Sequence, residues 1–223
     1  MKSANRLHLA LFIIAFISGY AYIATIAFKP YEFSYLLKAT PVLLMALIAF
    51  LKMGDLDSKA LTKPESVALV LAMLASASGD IFLDFDRNVY LKQALGSFLI
   101  TQIAYIYLFF PLRDMTTQRR WLMPPLVVMT LVLLYQFSLT AGALFIPVVI
   151  YCLVLLAMAF CALLVKNNIW INVGGLAFLI ADALIGVNRF IVSFDYSTTV
   201  IVSIYISAQL MIGWGLLFHR YRE

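Results

Sequence analysis

Eight apolar runs of about twenty residues, parted by short polar breaks, constrain this chain more than any motif in it. A helix crossing a bilayer needs about 20 apolar residues, because it rises about 1.5 Å per residue through a hydrocarbon core about 30 Å thick. The runs predict helices over 7–28, 34–51, 66–86, 90–110, 121–138, 142–165, 168–190 and 197–218. Together they nearly exhaust 223 residues, so the expected fold is an all-α membrane bundle of about eight helices, one transmembrane domain over 1–223. With 64% hydrophobic and 12% charged residues and a mean hydropathy of +0.98, the chain lacks the polar surface of a soluble domain, for which about 25% charge is usual. Disorder is excluded by the same figures. A membrane β-barrel would show alternating segments of about ten residues, and these runs are twice as long and do not alternate.

The breaks are chemically marked. Lys29-Pro30 ends the first run, the segment from Lys52 to Pro64 is the one clearly polar loop, Pro111 closes the fourth, and Lys166-Asn167-Asn168 parts the sixth from the seventh. The break at 138–142 rests on Ser138, Thr140 and Gly142 alone. The first run is read as a retained helix, since no small-x-small cleavage site precedes a polar start. Eight crossings put Lys2, Arg6, Lys52, Lys59, Lys63, Arg113, Arg119, Arg120, Lys166, Arg220 and Arg222 on one face and Lys29, Lys38, Arg87, Lys92 and Arg189 on the other. Basic residues accumulate on the cytoplasmic side, so both termini are expected in the cytoplasm, with a bacterial inner membrane as the setting. The net charge of +5 is a topology signal and not a nucleic-acid footprint, because the cations are dispersed among short loops.

Ionisable groups inside a membrane are costly and mark function by default. Here they are Lys38, Asp80, Asp84 and Asp182, with Arg189 near a helix end and Gln102 and Gln209 adding uncharged polarity. Asp80 and Asp182 are each the fifteenth residue of an outward-running helix. That puts both about 21 Å from the inner end, level with each other in the outer half. Small residues precede both, in Ala75-Ser76-Ala77-Ser78-Gly79 and in Gly174-Gly175, which lets neighbouring backbones approach. Arg87 and Arg189 follow the two aspartates at plus seven, and Gln102 with Tyr105 echoes Tyr205 with Gln209. The third and fourth helices therefore read as a parallel counterpart of the seventh and eighth, a 4+4 repeat.

Each of these residues also has a plain structural reading. A buried Asp can glue helices together, Asp84 and Asp86 can be solvated loop carboxylates, Lys38 can snorkel to the interface, and the tyrosines can form an interfacial belt. Several chemistries are excluded. The two histidines, His8 and His219, stand at the chain ends and supply no zinc site. No G-x-S-x-G elbow or glycine-rich phosphate loop occurs, and no cofactor is expected. Cys152 and Cys161 lie in one apolar run and read as core residues. Carboxylate chemistry or proton-linked transport remains.

The stretches Gly79-Asp80-Ile81-Phe82-Leu83, Leu95-Gly96-Ser97-Phe98-Leu99 and Ala104-Tyr105-Ile106 resemble the first signature of the YhhN-like lysoplasmalogenase family. Gly175 to Asp182, Asn188-Arg189-Phe190 and Tyr205 to Leu210 resemble the second. Gln102 stands where the family commonly has His, and Ala181 where it has Ser. Gln cannot carry a proton as His can.

The resemblance implies hydrolysis of the vinyl ether bond of a lysoplasmalogen drawn from the bilayer, releasing a fatty aldehyde and glycerophospho-ethanolamine or -choline. Vinyl ethers hydrolyse by protonation at carbon and capture of the resulting cation by water, which needs an acid and a base but no metal. The expectation is that Asp80 and Asp182 share one proton, one donating to carbon and the other activating water. Each Asp→Asn change should then abolish turnover with expression intact. Lys38 and Arg189 are expected to hold the substrate phosphate, with Asp84, Gln102, Tyr105, Asn188, Tyr205 and Gln209 as further substrate contacts. Two alternatives stay open: a proton-coupled transporter or flippase for a lipid-like solute, and an inactive family member.

Overall fold

The computed structural model describes residues 2–54 and 61–219, without the side chains of residues 2–5, 54, 87 and 88. Lys59, Arg220 and Arg222, and the side chains of Lys2 and Arg87, thus lie outside the described residues. Among the described residues eight helical spans are long and apolar enough to cross a membrane: Arg6–Phe28, Ser34–Leu51, Lys63–Asp86, Val89–Leu112, Gln118–Thr140, Gly142–Leu164, Ile169–Phe190 and Ser197–Leu217, here spans 1 to 8. No strand forms among them. The protein is a multi-pass helical membrane protein, as the apolar runs predict.

Local chemistry explains where span ends differ from the sequence expectation. Span 3 begins three residues early because Thr62 and Glu65 close a capping box. The Thr62 N–H and hydroxyl both donate to Glu65 Oε2, at 2.8 and 2.6 Å, satisfying donors that a helix start leaves open. Spans 3 and 4 are two helices that meet directly at a kink within Lys63–Phe109, where Asp86 leaves helical geometry (φ −158°, ψ 104°). There Asp86 Oδ1 accepts the Val89 N–H at 3.2 Å and caps the start of span 4. Asp86 is thus a helix cap. The thinly marked break between spans 5 and 6 turns on Gly142, whose φ of +52° suits a residue without Cβ.

Spans 7 and 8 pack along each other, span 2 packs on the pair of helices within Lys63–Phe109, and spans 1 and 2 both touch span 8. Span 8 is the most enclosed and span 5 the least. Span 5 packs on spans 6 and 7 and otherwise shows Val128, Leu131, Val132 and Tyr135 at the surface, as a lipid-facing helix does. A clasp ties the link between spans 4 and 5, and the start of span 5, to the end of span 6. Arg119 donates to the Leu163 and Val165 carbonyls at 2.9 and 2.8 Å, and the Asp114 N–H donates to Leu164 O at 2.7 Å. These bonds satisfy carbonyls that the end of span 6 leaves open. Asp114 lies between spans, where the Thr116 hydroxyl and then its N–H, both donating to Oδ1, hold its carboxyl below the ordinary carboxylate range.

Gly174 and Gly175 let span 7 sit between two neighbours. A Cβ on Gly174 would lie 2.9 Å from Ile212 Cγ1 and 3.0 Å from the Ala208 carbonyl, and one on Gly175 would overlap the Ala162 methyl. Gly175→Leu is therefore expected to destabilise the bundle by about 1–3 kcal/mol or more. A thermal melt followed by size-exclusion fluorescence in detergent checks this; an unchanged melting temperature would show that spans 6 and 7 can separate without cost.

Candidate active site

Asp80 and Asp182 are buried in the bundle, and each has its own partners. Asp80, 1% exposed on span 3, pairs through Oδ1 with Lys38 Nζ at 3.2 Å, and its Oδ2 accepts the Tyr205 hydroxyl at 2.7 Å. Lys38 is itself buried and also reaches the Asp80 carbonyl at 3.4 Å. Asp182 on span 7 accepts the Tyr151 hydroxyl from span 6 and the Gln102 amide from span 4, the latter at 3.3 Å. Both of these partners are uncharged. Among the described residues no hydrogen bond joins the two carboxylates, so the expectation of one shared proton finds no direct bond to act through.

A four-span shift relates the two sets. Asp80 of span 3 takes partners from spans 2 and 8; Asp182 of span 7 takes partners from spans 6 and 4. One carboxylate is balanced by a cation and the other by neutral donors.

The polar groups around Asp80 continue toward Gln209 and Tyr105. Tyr205 and Ser76 share a hydrogen bond of 2.7 Å, Gln209 Nε2 donates to Tyr205 at 3.2 Å and also to Ser76, and the Tyr105 hydroxyl donates to Gln209 Oε1. Tyr105 and Gln209 are buried within this network. One turn further along span 3 from Asp80 a second charge cluster forms. Asp84 binds Lys29 and the Tyr22 hydroxyl through Oδ1, the latter at 2.6 Å, and the Ser34 hydroxyl through Oδ2 at 2.5 Å. Asp84 is thus a tie between spans 1, 2 and 3, neither solvated loop nor open ligand. Lys38, read from sequence as a phosphate ligand or a snorkelling lysine, is committed to Asp80.

Asp182 borders a cavity that Asp80 does not line. Apolar side chains of spans 4 to 7, among them Leu95, Phe98, Leu133, Phe137 and Leu155, line it together with Tyr151, Cys152, Asp182 and Arg189. Arg189 is the exposed end of this wall. Seven residues separate it from Asp182, two helical turns or about 10 Å. Asp80 lies one layer back: Tyr205, its partner, packs edge-on against Phe98 with ring centroids 5.8 Å apart. Asn188 is half-buried, and its Oδ1 is enclosed without a protein donor.

Sequence reasoning missed Tyr151, Tyr22 and Lys29. Tyr151 carried a usable signal, a hydroxyl in the middle of the most apolar span. The belt reading hid it: Tyr22, Tyr105, Tyr151 and Tyr205 are buried rather than interfacial. Cys152 and Cys161 are free thiols, half-buried. Among the described residues no group of three or more His, Cys, Asp and Glu stands close enough to hold a metal ion.

Comparison with known proteins places the chain. Lysoplasmalogenases of Mycobacterium bovis and Mycobacterium tuberculosis are each 33% identical to it over 159 residues, a stretch covering 68% of this chain and 61% of each relative. The chain thus matches about three fifths of the length of these curated relatives. No solved structure matches it. The YhhN family model matches residues 33–216, from the start of span 2 to the end of span 8, so every group bound to Asp80 or Asp182 falls within it, and the chain belongs to the YhhN family.

Proposed function

We propose that this protein hydrolyses the vinyl ether bond of a single-chain ether phospholipid, with Asp182 as the group that meets the substrate. The observation that carries the reading is a carboxyl held by uncharged partners on the wall of an apolar cavity, with a guanidinium two turns away. The naming of the mycobacterial relatives as lysoplasmalogenases supports the same class of reaction.

A buried carboxyl without a cation partner is most cheaply kept neutral, which makes Asp182 a proton donor. Its O–H bond breaks as the vinyl π-electrons form a new C–H bond at the β-carbon, leaving an oxocarbenium ion beside the new carboxylate. Opposite charges form together in an enclosed site, where their attraction is large. Water then adds to the cationic carbon and returns its proton to Asp182. The hemiacetal collapses to aldehyde and alcohol, so Asp182 is restored and serves in turn as acid and base. The steps draw on no metal or cofactor.

The Arg189 guanidinium suits the substrate phosphate. A phosphate and a vinyl ether on one glycerol backbone are several bonds apart, a span that two helical turns and a long Arg side chain accommodate. Arg189→Gln is expected to raise KM about tenfold or more with little change in kcat, the loss of one charge-assisted contact. An equal fall in kcat would place Arg189 in the chemistry instead. Asp80, balanced by Lys38, shapes the cavity wall through Tyr205 and Phe98.

The decisive experiment is aldehyde release from synthetic lysoplasmenyl-ethanolamine by purified protein in detergent. A second reading, proton-coupled transport of a lipid-like solute, draws on the Lys38–Asp80 and Lys29–Asp84 pairs stacked one turn apart. Transport needs a sealed membrane and hydrolysis does not. Release in micelles therefore supports the enzyme, and its absence from folded protein overturns it.

A further inference from the structure

We propose that Tyr151 is a positioning residue that selects which oxygen of Asp182 delivers the proton. The inference rests on the hydrolase reading above and assigns a role to a residue outside the family signatures quoted for this chain.

Both hydrogen bonds to Asp182 converge on Oδ2, one from the Tyr151 hydroxyl and one from the Gln102 amide. Among the described residues none donates to Oδ1, while Asp182 and Tyr151 both line the cavity. The terminal torsion of an aspartate is broad and nearly two-fold, so an unanchored carboxyl would present either oxygen. Two donors arriving from different helices remove that freedom. An oxygen already accepting two donors is a poor place for a proton, because the hydrogens would crowd one another. The acidic proton therefore sits on Oδ1.

The same contacts act again as the proton leaves. Negative charge develops on the carboxylate, and a hydrogen bond to a charged oxygen is roughly twice as strong as one to a neutral oxygen. Tyr151 thus binds the transition state more tightly than the ground state, the difference that raises kcat without lowering KM. The simple alternative is that Tyr151 only joins span 6 to span 7. A joint of that kind changes stability and leaves the kinetic parameters of the folded fraction alone.

Tyr151→Phe keeps the ring and removes the donor. The experiment measures aldehyde release by full-length protein in detergent, with kcat referred to folded protein. Expected is a fall in kcat of about 100-fold, the lower end of the range for losing one preorganised donor, with KM within about twofold. Gln102→Leu, which removes the other donor to Oδ2, is expected to lower kcat in the same way and more mildly, and stands in should Tyr151→Phe fold poorly. Wild-type kcat per folded molecule in Tyr151→Phe, with a lowered melting temperature, would reduce Tyr151 to a structural joint and overturn the inference. Silence of the wild-type protein is a different failure, that of the hydrolase reading itself.

Discussion

Asp182→Asn is expected to bring aldehyde release to the background rate, a fall of about 10³- to 10⁴-fold, while the protein stays folded. General acid catalysis typically contributes about 10²- to 10⁴-fold. The upper part applies because no other carboxyl among the described residues borders the cavity. Stability is spared because both partners of Asp182 are neutral: an Asn side-chain carbonyl still accepts the Tyr151 hydroxyl, and no charge is orphaned. The measurement is release from lysoplasmenyl-ethanolamine beside a detergent melting curve. A variant that melts as wild type and turns over as wild type would remove Asp182 from the chemistry and with it the proposed mechanism.

Lys38→Met is expected to act on the fold first. It leaves the Asp80 carboxylate in the bundle with the Tyr205 hydroxyl as its one remaining side-chain partner among the described residues. Breaking one side of a buried ion pair costs about 3–5 kcal/mol, because the remaining charge is uncompensated. Asp80→Asn strands the Lys38 ammonium by the same logic, so the sequence expectation that both Asp→Asn changes leave expression intact is expected to hold for Asp182 alone. Removing both charges reverses the penalty. Lys38→Met with Asp80→Asn should recover most of the lost melting temperature, the non-additivity that marks two groups in contact. Its turnover then reports the role of Asp80. With Asp80 one layer behind the cavity, activity within about tenfold of wild type is expected, a barrier change of about 1.4 kcal/mol. A folded double variant without activity would return Asp80 to the role of base for water.

The two aspartates illustrate how far a sequence of this kind can be read. Both stand out because a carboxylate in a long apolar run is costly wherever the run folds, a property of local composition. Their environments do not stand out in the same way. Lys38 could be phosphate ligand, snorkelling cation or ion-pair partner until span 2 is seen beside span 3. Tyr151 is one of twelve tyrosines, and nothing in its neighbours along the chain says that span 7 will bring Asp182 to its hydroxyl. Asp84 near a helix end suggests water, and only the return of Lys29 and Tyr22 from span 1 shows it enclosed. Local capping was half legible. The Thr62–Glu65 box lies in plain sight within four residues, yet the apolar run alone starts span 3 three residues late.

The membrane setting, the eight crossings, the all-helical class and the costly carboxylates were determined by the chain's composition and spacing, because hydrocarbon demands internally satisfied backbone over a set length and penalises charge at every position within it. Tertiary structure alone decided that span 8 serves Asp80 and span 4 serves Asp182, that one carboxylate is cancelled by a lysine while the other faces a cavity among neutral donors, and hence that two residues alike in sequence context differ in chemistry. Partner choice depends on which helices become neighbours. That is settled by packing between distant segments, 125 residues apart for Tyr205 and Asp80, and no local pattern encodes it.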